Sequence, residues 1–195
     1  MTKILLASDA SALIEKVVKG GNLAFIPTAA DTYENKWWIK EDKIKLAKKG
    51  FDLTEIDLKR KVSLKEFKYF DVVYVAGGNS FYLLEKMRES GFGRMIKKLV
   101  DREVTYVGSS AGAVVAGPSI WPIRFLDDPS KAKLKSFKSL NLVDFIPLPH
   151  FGNKKYSKPY KKVMKGLGKT NYKYVKIKEN QAVLVKNGKV KIIRA

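Results

Sequence analysis

The stretch VTYVGSSAGAVVAGP, residues 104–118, decides how the rest of this 195-residue chain is organised. Four β-branched or aromatic residues run directly into small residues, and an Ala/Val-rich segment follows. This order predicts a strand, a sharp turn and a helix. The turn, residues 108–112, fits the pattern Gly-x-Ser-x-Gly, in which a serine is raised on a tight strand-to-helix connection. Ser110 is therefore a candidate nucleophile, and a small-residue turn without chemistry is the alternative.

The composition favours a single globular domain over residues 1–195. Hydrophobic residues make up 45% of the chain, which is ordinary for a globular protein. No apolar run approaches the roughly 20 residues of a membrane span, and the N-terminal segment fits a first strand better than a signal peptide. The chain has no cysteine, so it has no disulfide framework and no thiolate nucleophile or metal ligand. These features predict a cytoplasmic protein that does not contact a membrane.

A net charge of +20 raises the question of nucleic-acid binding, because Lys and Arg neutralise phosphates. The lysines, however, are spread through nearly every polar segment, and arginine, the usual base reader, is scarce. The densest basic segment, residues 154–178, interleaves lysines with tyrosines and is more typical of a solvated face than of a single-strand platform. We therefore expect no nucleic acid as the main partner. The positive field should favour anionic substrates.

Strand and helix patterns alternate from residue 3 to residue 152, which predicts a mostly parallel, doubly wound sheet between two layers of helices. Short alternating strands follow at residues 172–177, 181–186 and 189–193. Asn187 and Gly188 between the last two predict a hairpin turn. The expected fold is thus a three-layer α/β/α sandwich with a C-terminal β-hairpin or meander.

Three predicted strand ends carry residues capable of chemistry, and ligands bind at the carboxyl ends of strands in such sheets. One end holds Ser110, the second holds Gly77, Gly78 and Asn79, and the third holds His150. The glycines would let backbone N–H groups approach an oxyanion, and the N–H of Ala111 would be the other donor. A plain β-to-α turn is the alternative for the two glycines.

His150 is the only histidine in the chain, so an activated Ser110 requires it as the base. A third residue should hold the imidazole in the correct tautomer. Asp127 and Asp128 lie between the turn and His150, and the order Ser…Asp…His matches a known triad order. The alternative is that these aspartates form a turn or a helix cap.

Four separated blocks resemble the peptidase E family of serine aspartyl dipeptidases, which is related to cyanophycinase and to class I glutamine amidotransferases. They are FIPTAA (residues 25–30), VAGGNSFYLL (75–84), GSSAGAVVAGPSI (108–120) and LPHFG (148–152). The resemblance implies the glutamine amidotransferase-like sandwich, Ser110 as nucleophile, His150 as base and a second oxyanion donor from the GGN loop. A serine at the elbow, where amidotransferases have cysteine, disfavours glutamine amide transfer.

The family's triad aspartate lies in an N-D-M-P block that this chain lacks, since WPIR occupies that region. The sequence therefore leaves the acid that orients His150 unassigned. Arg124 lies near the elbow and is a candidate for binding a substrate carboxylate, because a guanidinium can bind a carboxylate through two hydrogen bonds.

Two functions follow from these observations. The first is a serine peptidase that cleaves short peptides, with N-terminal Asp implied by the resemblance. It would need no metal or organic cofactor, and it would act as a monomer or homodimer on a small acidic peptide. The alternative is a catalytically inactive relative that binds a small anionic ligand or, less in keeping with the charge pattern, nucleic acid.

Overall fold

The computed structural model describes residues 3–195, in which nine β-strands and five α-helices are assigned. The strands are β1 (Lys3–Ala7), β2 (Gly21–Ile26), β3 (Phe51–Glu55), β4 (Val72–Val75), β5 (Thr105–Ser109), β6 (Phe145–Leu148), β7 (Lys173–Lys176), β8 (Gln181–Lys186) and β9 (Lys189–Arg194). The helices are α1 (Trp37–Lys48), α2 (Ser80–Ser90), α3 (Phe92–Asp101), α4 (Ala111–Val115) and α5 (Ser157–Leu167).

Seven strands form the central sheet in the order β3-β2-β4-β5-β1-β8-β9. The first five are parallel to one another, and β8 pairs antiparallel with β1. The carboxyl ends of β4, β5 and β1 therefore lie side by side at one edge of the sheet, with the beginning of β8 next to them. This confirms the predicted mostly parallel α/β fold and brings the turn that carries Ser110 beside the Gly77–Gly78 loop.

Helices cover both faces of the sheet, because alternate strand residues point to opposite sides. On one face, Leu5 and Phe25 pack with Ile39 and Leu46 of α1 in one buried cluster. On the other face, the neighbouring strand residues pack with α2, α3, α4 and α5 in a second, larger cluster. The two clusters give the expected three layers.

The C-terminal hairpin forms as predicted. β8 and β9 pair antiparallel, and Asn187 and Gly188 have φ angles of 49° and 74°. Positive φ at both central positions is the geometry that Asn-Gly turns provide most readily. The hairpin extends the sheet beyond β1.

Two local expectations are wrong. The predicted strand–helix alternation calls for a helix between β1 and β2, but that connection holds only a 3₁₀ turn at Ile14–Lys16. In addition, β6 leaves the central sheet and pairs in parallel with β7 in a separate two-stranded sheet. Pro147 lies within β6 and has no N–H to donate, which is compatible with a strand that pairs on one side only.

Candidate active site

Ser110 lies on the turn between β5 and α4 in a conformation that few residues adopt. Its φ and ψ are 50° and −108°, and its N–H donates to the carbonyl of Ala7 at 2.9 Å. Gly112 allows the turn to sit against the sheet, because an added Cβ would lie 2.1 Å from the carbonyl oxygen of Val75. Strain of this kind concentrates at functional sites. The small residues of the motif therefore serve to hold the Ser110 hydroxyl out from the strand end.

His150 faces Ser110 from the end of β6. Its Nε2 lies 3.0 Å from Ser110 Oγ, within hydrogen-bond range for proton transfer. The backbone N–H of His150 donates to Ser8 Oγ at 2.8 Å, and its ring lies 5.2 Å from that of Tyr156. Its φ is 60°, so this residue also follows an uncommon backbone path. The predicted pairing of these two side chains is present in the structure.

Glu179 occupies the far side of the imidazole. Its Oε1 and Oε2 lie 3.0 Å and 2.9 Å from His150 Nδ1, and Asn153 Nδ2 donates to Oε1 at 2.6 Å. A carboxylate at Nδ1 favours the tautomer in which Nε2 is free to accept the serine proton. The chain Ser110–His150–Glu179 thus has the arrangement of a nucleophile, a base and an orienting acid.

The prediction that Asp127 or Asp128 orients His150 is corrected by this arrangement. Asp127 Oδ2 accepts hydrogen bonds from the backbone N–H and hydroxyl of Ser80, at 2.8 Å and 2.5 Å. Asp128 is exposed and accepts from the backbone N–H of Ser130 at 2.9 Å. Asp128 thus forms the predicted cap, Asp127 is held at the start of α2 through one of its two oxygens, and no hydrogen bond joins either carboxylate to the ring.

The predicted oxyanion donors lie beside the nucleophile. An added Cβ on Gly77 would lie 3.1 Å from Ser110 Cβ, so the loop after β4 adjoins the elbow. Within residues 3–195, the backbone N–H groups of Gly78 and Ala111 have no acceptor. Both residues line the same cavity as Ser110. Two unpaired backbone donors that line the same cavity as a serine hydroxyl could bind a tetrahedral oxyanion.

The cavity above Ser110 and His150 has a volume of about 630 Å³. Aromatic residues, among them Tyr33, Trp38 and Tyr156, form part of its wall. Its charged lining residues are Asp9, Glu41, Asp42, Asp127, Glu179, Lys45 and Lys155. A space of this size suits a small ligand or a short peptide.

Comparison with known proteins agrees with this geometry. The family model "Peptidase family S51" matches residues 6–193. The chain belongs to this family. An uncharacterized peptidase of Listeria innocua is 34% identical over 181 residues, which cover 90% of this chain and 86% of that protein. Peptidase E of Streptomyces coelicolor is 32% identical over 132 residues, covering 68% of this chain and 52% of that protein.

The fold of the S51 chain is also that of a solved relative. The 1.5 Å crystal structure of a candidate peptidase E from Listeria monocytogenes superimposes with a TM-score of 0.89 and 30% identity, covering 100% of this chain and 99% of that one. The resemblance to peptidase E drawn from the four sequence blocks is thereby confirmed. This S51 chain is a serine-type peptidase with the three-layer α/β fold of its relatives.

Arg124 does not reach the cavity. Its guanidinium lies 4.0 Å and 4.3 Å from the ring centroids of Trp121 and Phe125, and Nη1 donates to the carbonyl of Trp121 at 2.8 Å. Stacking on these rings holds the side chain outside the cavity lining. Arg124 is therefore not among the predicted site residues that the structure brings to this cavity.

Asn79 has a structural use in this S51 chain. Its Oδ1 accepts from the N–H groups of Phe81 and Tyr82, at 3.0 Å and 2.9 Å, and so caps α2. Its Nδ2 donates to the carbonyl of Asp128 at 2.9 Å. Both ends of the side chain are hydrogen-bonded within the protein, and of the GGN loop only the two glycines line the cavity.

Replacing Gly78 by alanine should test the oxyanion loop. Gly78 has a φ of 148°, and an added Cβ would lie 2.1 Å from the carbonyl oxygen of Ala29. The loop must shift to accept it, so we expect kcat to fall about 10²- to 10³-fold through loss of one oxyanion donor. Gly168→Ala is the control, since its added Cβ meets ordinary contacts at 3.6 Å. Full kcat in Gly78→Ala would exclude this loop as a donor.

We expect Asp42 to lower the stability of the S51 chain near neutral pH. Burial raises its pKa from 3.8 to about 6, although Ser11 and Tyr74 lower it in part. The Tyr74 hydroxyl donates to its Oδ2 at 3.0 Å. Because the folded state disfavours the ionised form, stability falls as pH rises from about 4 to about 6 and stays low above that range.

Asp42→Asn should therefore stabilise the protein, because the amide oxygen can still accept from Tyr74. We expect the free energy of unfolding at pH 7 to rise by about 1–3 kcal/mol, and the gain to disappear near pH 4. Urea unfolding at both pH values measures this. An equal effect at both would contradict the assigned cause.

The sequence patterns do not identify several of the residues at the site. Glu179 follows His150 in the chain, whereas the predicted acids, Asp127 and Asp128, precede it. Asn153 and Tyr156 lie only three and six positions after His150, and that closeness was the one available signal.

In residues 3–195, no group of three or more His, Asp or Glu side chains is placed to hold a metal ion. No helix in that part of the chain is long and apolar enough to cross a membrane.

Proposed function

We propose that this S51 member is a dipeptidase that hydrolyses short peptides with an N-terminal aspartate. The observation that carries the proposed mechanism is the hydrogen-bonded chain from Ser110 Oγ through His150 to Glu179, with distances of 3.0 Å and 2.9 Å. The Asp-X preference is what the resemblance to the peptidase E family implies, and the net charge of +20 supports it.

In the first half of the reaction, Ser110 Oγ attacks the scissile carbonyl carbon while His150 Nε2 accepts the hydroxyl proton. The N–H groups of Gly78 and Ala111 would bind the resulting oxyanion. Collapse of the tetrahedral intermediate breaks the C–N bond, and His150 gives its proton to the leaving amine. Glu179 stabilises the imidazolium throughout and does not itself become protonated.

In the second half, a water molecule attacks the Ser110 ester and gives a proton to His150. The new tetrahedral intermediate then expels Ser110 Oγ, which recovers its proton from the imidazolium. The products are the N-terminal residue and the shortened peptide or free amino acid. No other group is needed for the atoms and charges to balance.

An acidic substrate is favoured by two features of the charge distribution. The net charge of +20 raises the local concentration of anions. Lys155 lines the cavity next to Tyr156, and among residues 3–195 no carboxylate pairs with it. Lys45 also lines the cavity, but Asp9 binds it at 3.1 Å. Lys155 is therefore the better placed of the two to attract a substrate carboxylate.

Hydrolysis of Asp-Leu, Asn-Leu and Leu-Leu tests this proposal. We expect kcat/KM for Asp-Leu to exceed that for Asn-Leu by at least about tenfold, because only the former carries the side-chain charge. A serine-directed fluorophosphonate should label Ser110 in parallel. Labelling together with equal cleavage of the three peptides would exclude the Asp preference alone. If the protein is not labelled and hydrolyses none of the three peptides, the proposed mechanism is excluded.

Location and assembly stay predictions. We expect the protein to be cytoplasmic. We expect its active form to be a monomer or a homodimer.

A further inference from the structure

Asp127 is a carboxylate in the cavity wall that the acyl-transfer steps do not use. Its Oδ2 accepts two hydrogen bonds from Ser80. Its Oδ1 has no partner within residues 3–195, yet the residue lines the cavity and is not completely buried. One oxygen of this carboxylate is therefore held by the protein, and the other is available to a bound ligand.

The surroundings of Asp127 favour the binding of a positively charged group. Burial raises its pKa, and the Ser80 hydrogen bonds and the nearby His150 only partly oppose this effect. No Lys or Arg within residues 3–195 forms an ion pair with it, and its neighbours in the wall include Ile123 and Leu126. An enclosed carboxylate without a positive partner is unfavourable, and a cationic ligand would relieve this.

The strand order places Asp127 on the acyl side of the nucleophile. Ser80 begins α2 just after the Gly77–Gly78 loop, and that loop follows β4, which lies on one side of β5. His150 is anchored through Ser8, which follows β1 on the other side of β5. The leaving amine must lie toward His150, because it receives its proton from there. The residue that acylates Ser110 therefore extends toward Ser80 and Asp127.

We propose that Asp127 binds the free α-ammonium group of the substrate's first residue. In a peptide cleaved after its first residue, that group is attached to the Cα next to the scissile carbonyl carbon. An ion pair there would make a free N-terminus a condition of binding and would limit cleavage to a single residue. This inference rests on the proposed dipeptidase function and assigns a residue to the recognition of the N-terminus.

Binding to a Ser110→Ala background tests the assignment without turnover. Calorimetry would compare Asp-Leu with succinyl-Leu, in which hydrogen replaces the ammonium group, and likewise Ala-Leu with propionyl-Leu. Adding Asp127→Asn should weaken binding of the two amines about 10- to 100-fold and of the two des-amino ligands less than about threefold. The asparagine oxygen can still accept from Ser80. Asp128→Asn, an exposed neighbour, is the matched control.

Each outcome bears on a different claim. Equal weakening of amine and des-amino ligands, or no weakening of either, would overturn the role of Asp127. If Asp127→Asn weakens the binding of Ala-Leu but not of propionyl-Leu, the role of Asp127 is supported. If Asp-Leu also binds no more tightly than Ala-Leu, the Asp preference is contradicted. In the Ser110-containing protein, Asp127→Asn should keep fluorophosphonate labelling within about threefold of wild type, because the probe has no ammonium group. A parallel loss of labelling would show that Asp127 acts on Ser110 or His150 instead.

Discussion

Ser110→Ala is expected to lower kcat/KM for a cleaved dipeptide about 10⁴- to 10⁶-fold, because the reaction loses its covalent route. The substitution removes only the oxygen that lies 3.0 Å from His150 Nε2, and so the fold should persist. Steady-state hydrolysis with a peptide shown to be a substrate measures the loss.

The matched control for this change is Ser130→Ala, which removes an exposed hydroxyl away from the cavity. Its kcat/KM should equal that of the wild type. If Ser110→Ala retained more than about a tenth of the wild-type rate, a nucleophile at Ser110 would be ruled out.

Glu179→Gln should produce the second large effect, a fall in kcat of about 10²- to 10³-fold. The amide NH₂ of glutamine can donate to Nδ1, which favours the tautomer with a proton on Nε2, and that nitrogen then cannot accept the serine proton. The Glu179 side chain is 48% exposed. Solvent therefore screens its charge, and we expect less than the largest losses known for buried triad acids.

Two further variants sharpen this second prediction. Asn153→Ala removes the 2.6 Å hydrogen bond to Glu179 and should cost about tenfold or less, since the carboxylate keeps its contact with the ring. Asp128→Asn should leave kcat unchanged. A large loss in Asp128→Asn with none in Glu179→Gln would restore the order Ser…Asp…His expected from the sequence.

The pairing of Ser110 with His150 could be predicted from the sequence because local patterns carry both residues. The elbow is a continuous run of residues 108–112 whose small side chains have a direct steric reason. His150 is the only histidine, and it reaches this edge of the sheet although its own strand, β6, pairs with β7 outside the central sheet. The strand–helix alternation placed the Gly77–Gly78 loop at the same edge, after β4.

The orienting acid could not be predicted in this way, because its position depends on long-range pairing. Glu179 precedes β8, and only the antiparallel pairing of β8 with β1 brings that end of the strand to the edge where Ser8 and His150 lie. Among the many charged residues of the C-terminal third, nothing in the local pattern singles it out. The chain lacks the N-D-M-P block, and in the structure the carboxylate that contacts His150 Nδ1 is that of Glu179.

Arg124 lies outside the cavity for a different physical reason. Closeness to the elbow in sequence suggested closeness in space, but the 3₁₀ turn at Trp121–Phe125 directs the guanidinium onto two aromatic rings. Such stacking competes with carboxylate binding, and a sequence pattern does not show which contact wins.

The most direct test of the Ser110–His150–Glu179 assignment is the rate at which a fluorophosphonate modifies the protein, with the modified residue located by mass spectrometry. The wild type should carry one adduct, on Ser110, and Glu179→Gln should form it about 100-fold more slowly. Labelling of Glu179→Gln at the wild-type rate, or an adduct on another residue, would contradict the assignment.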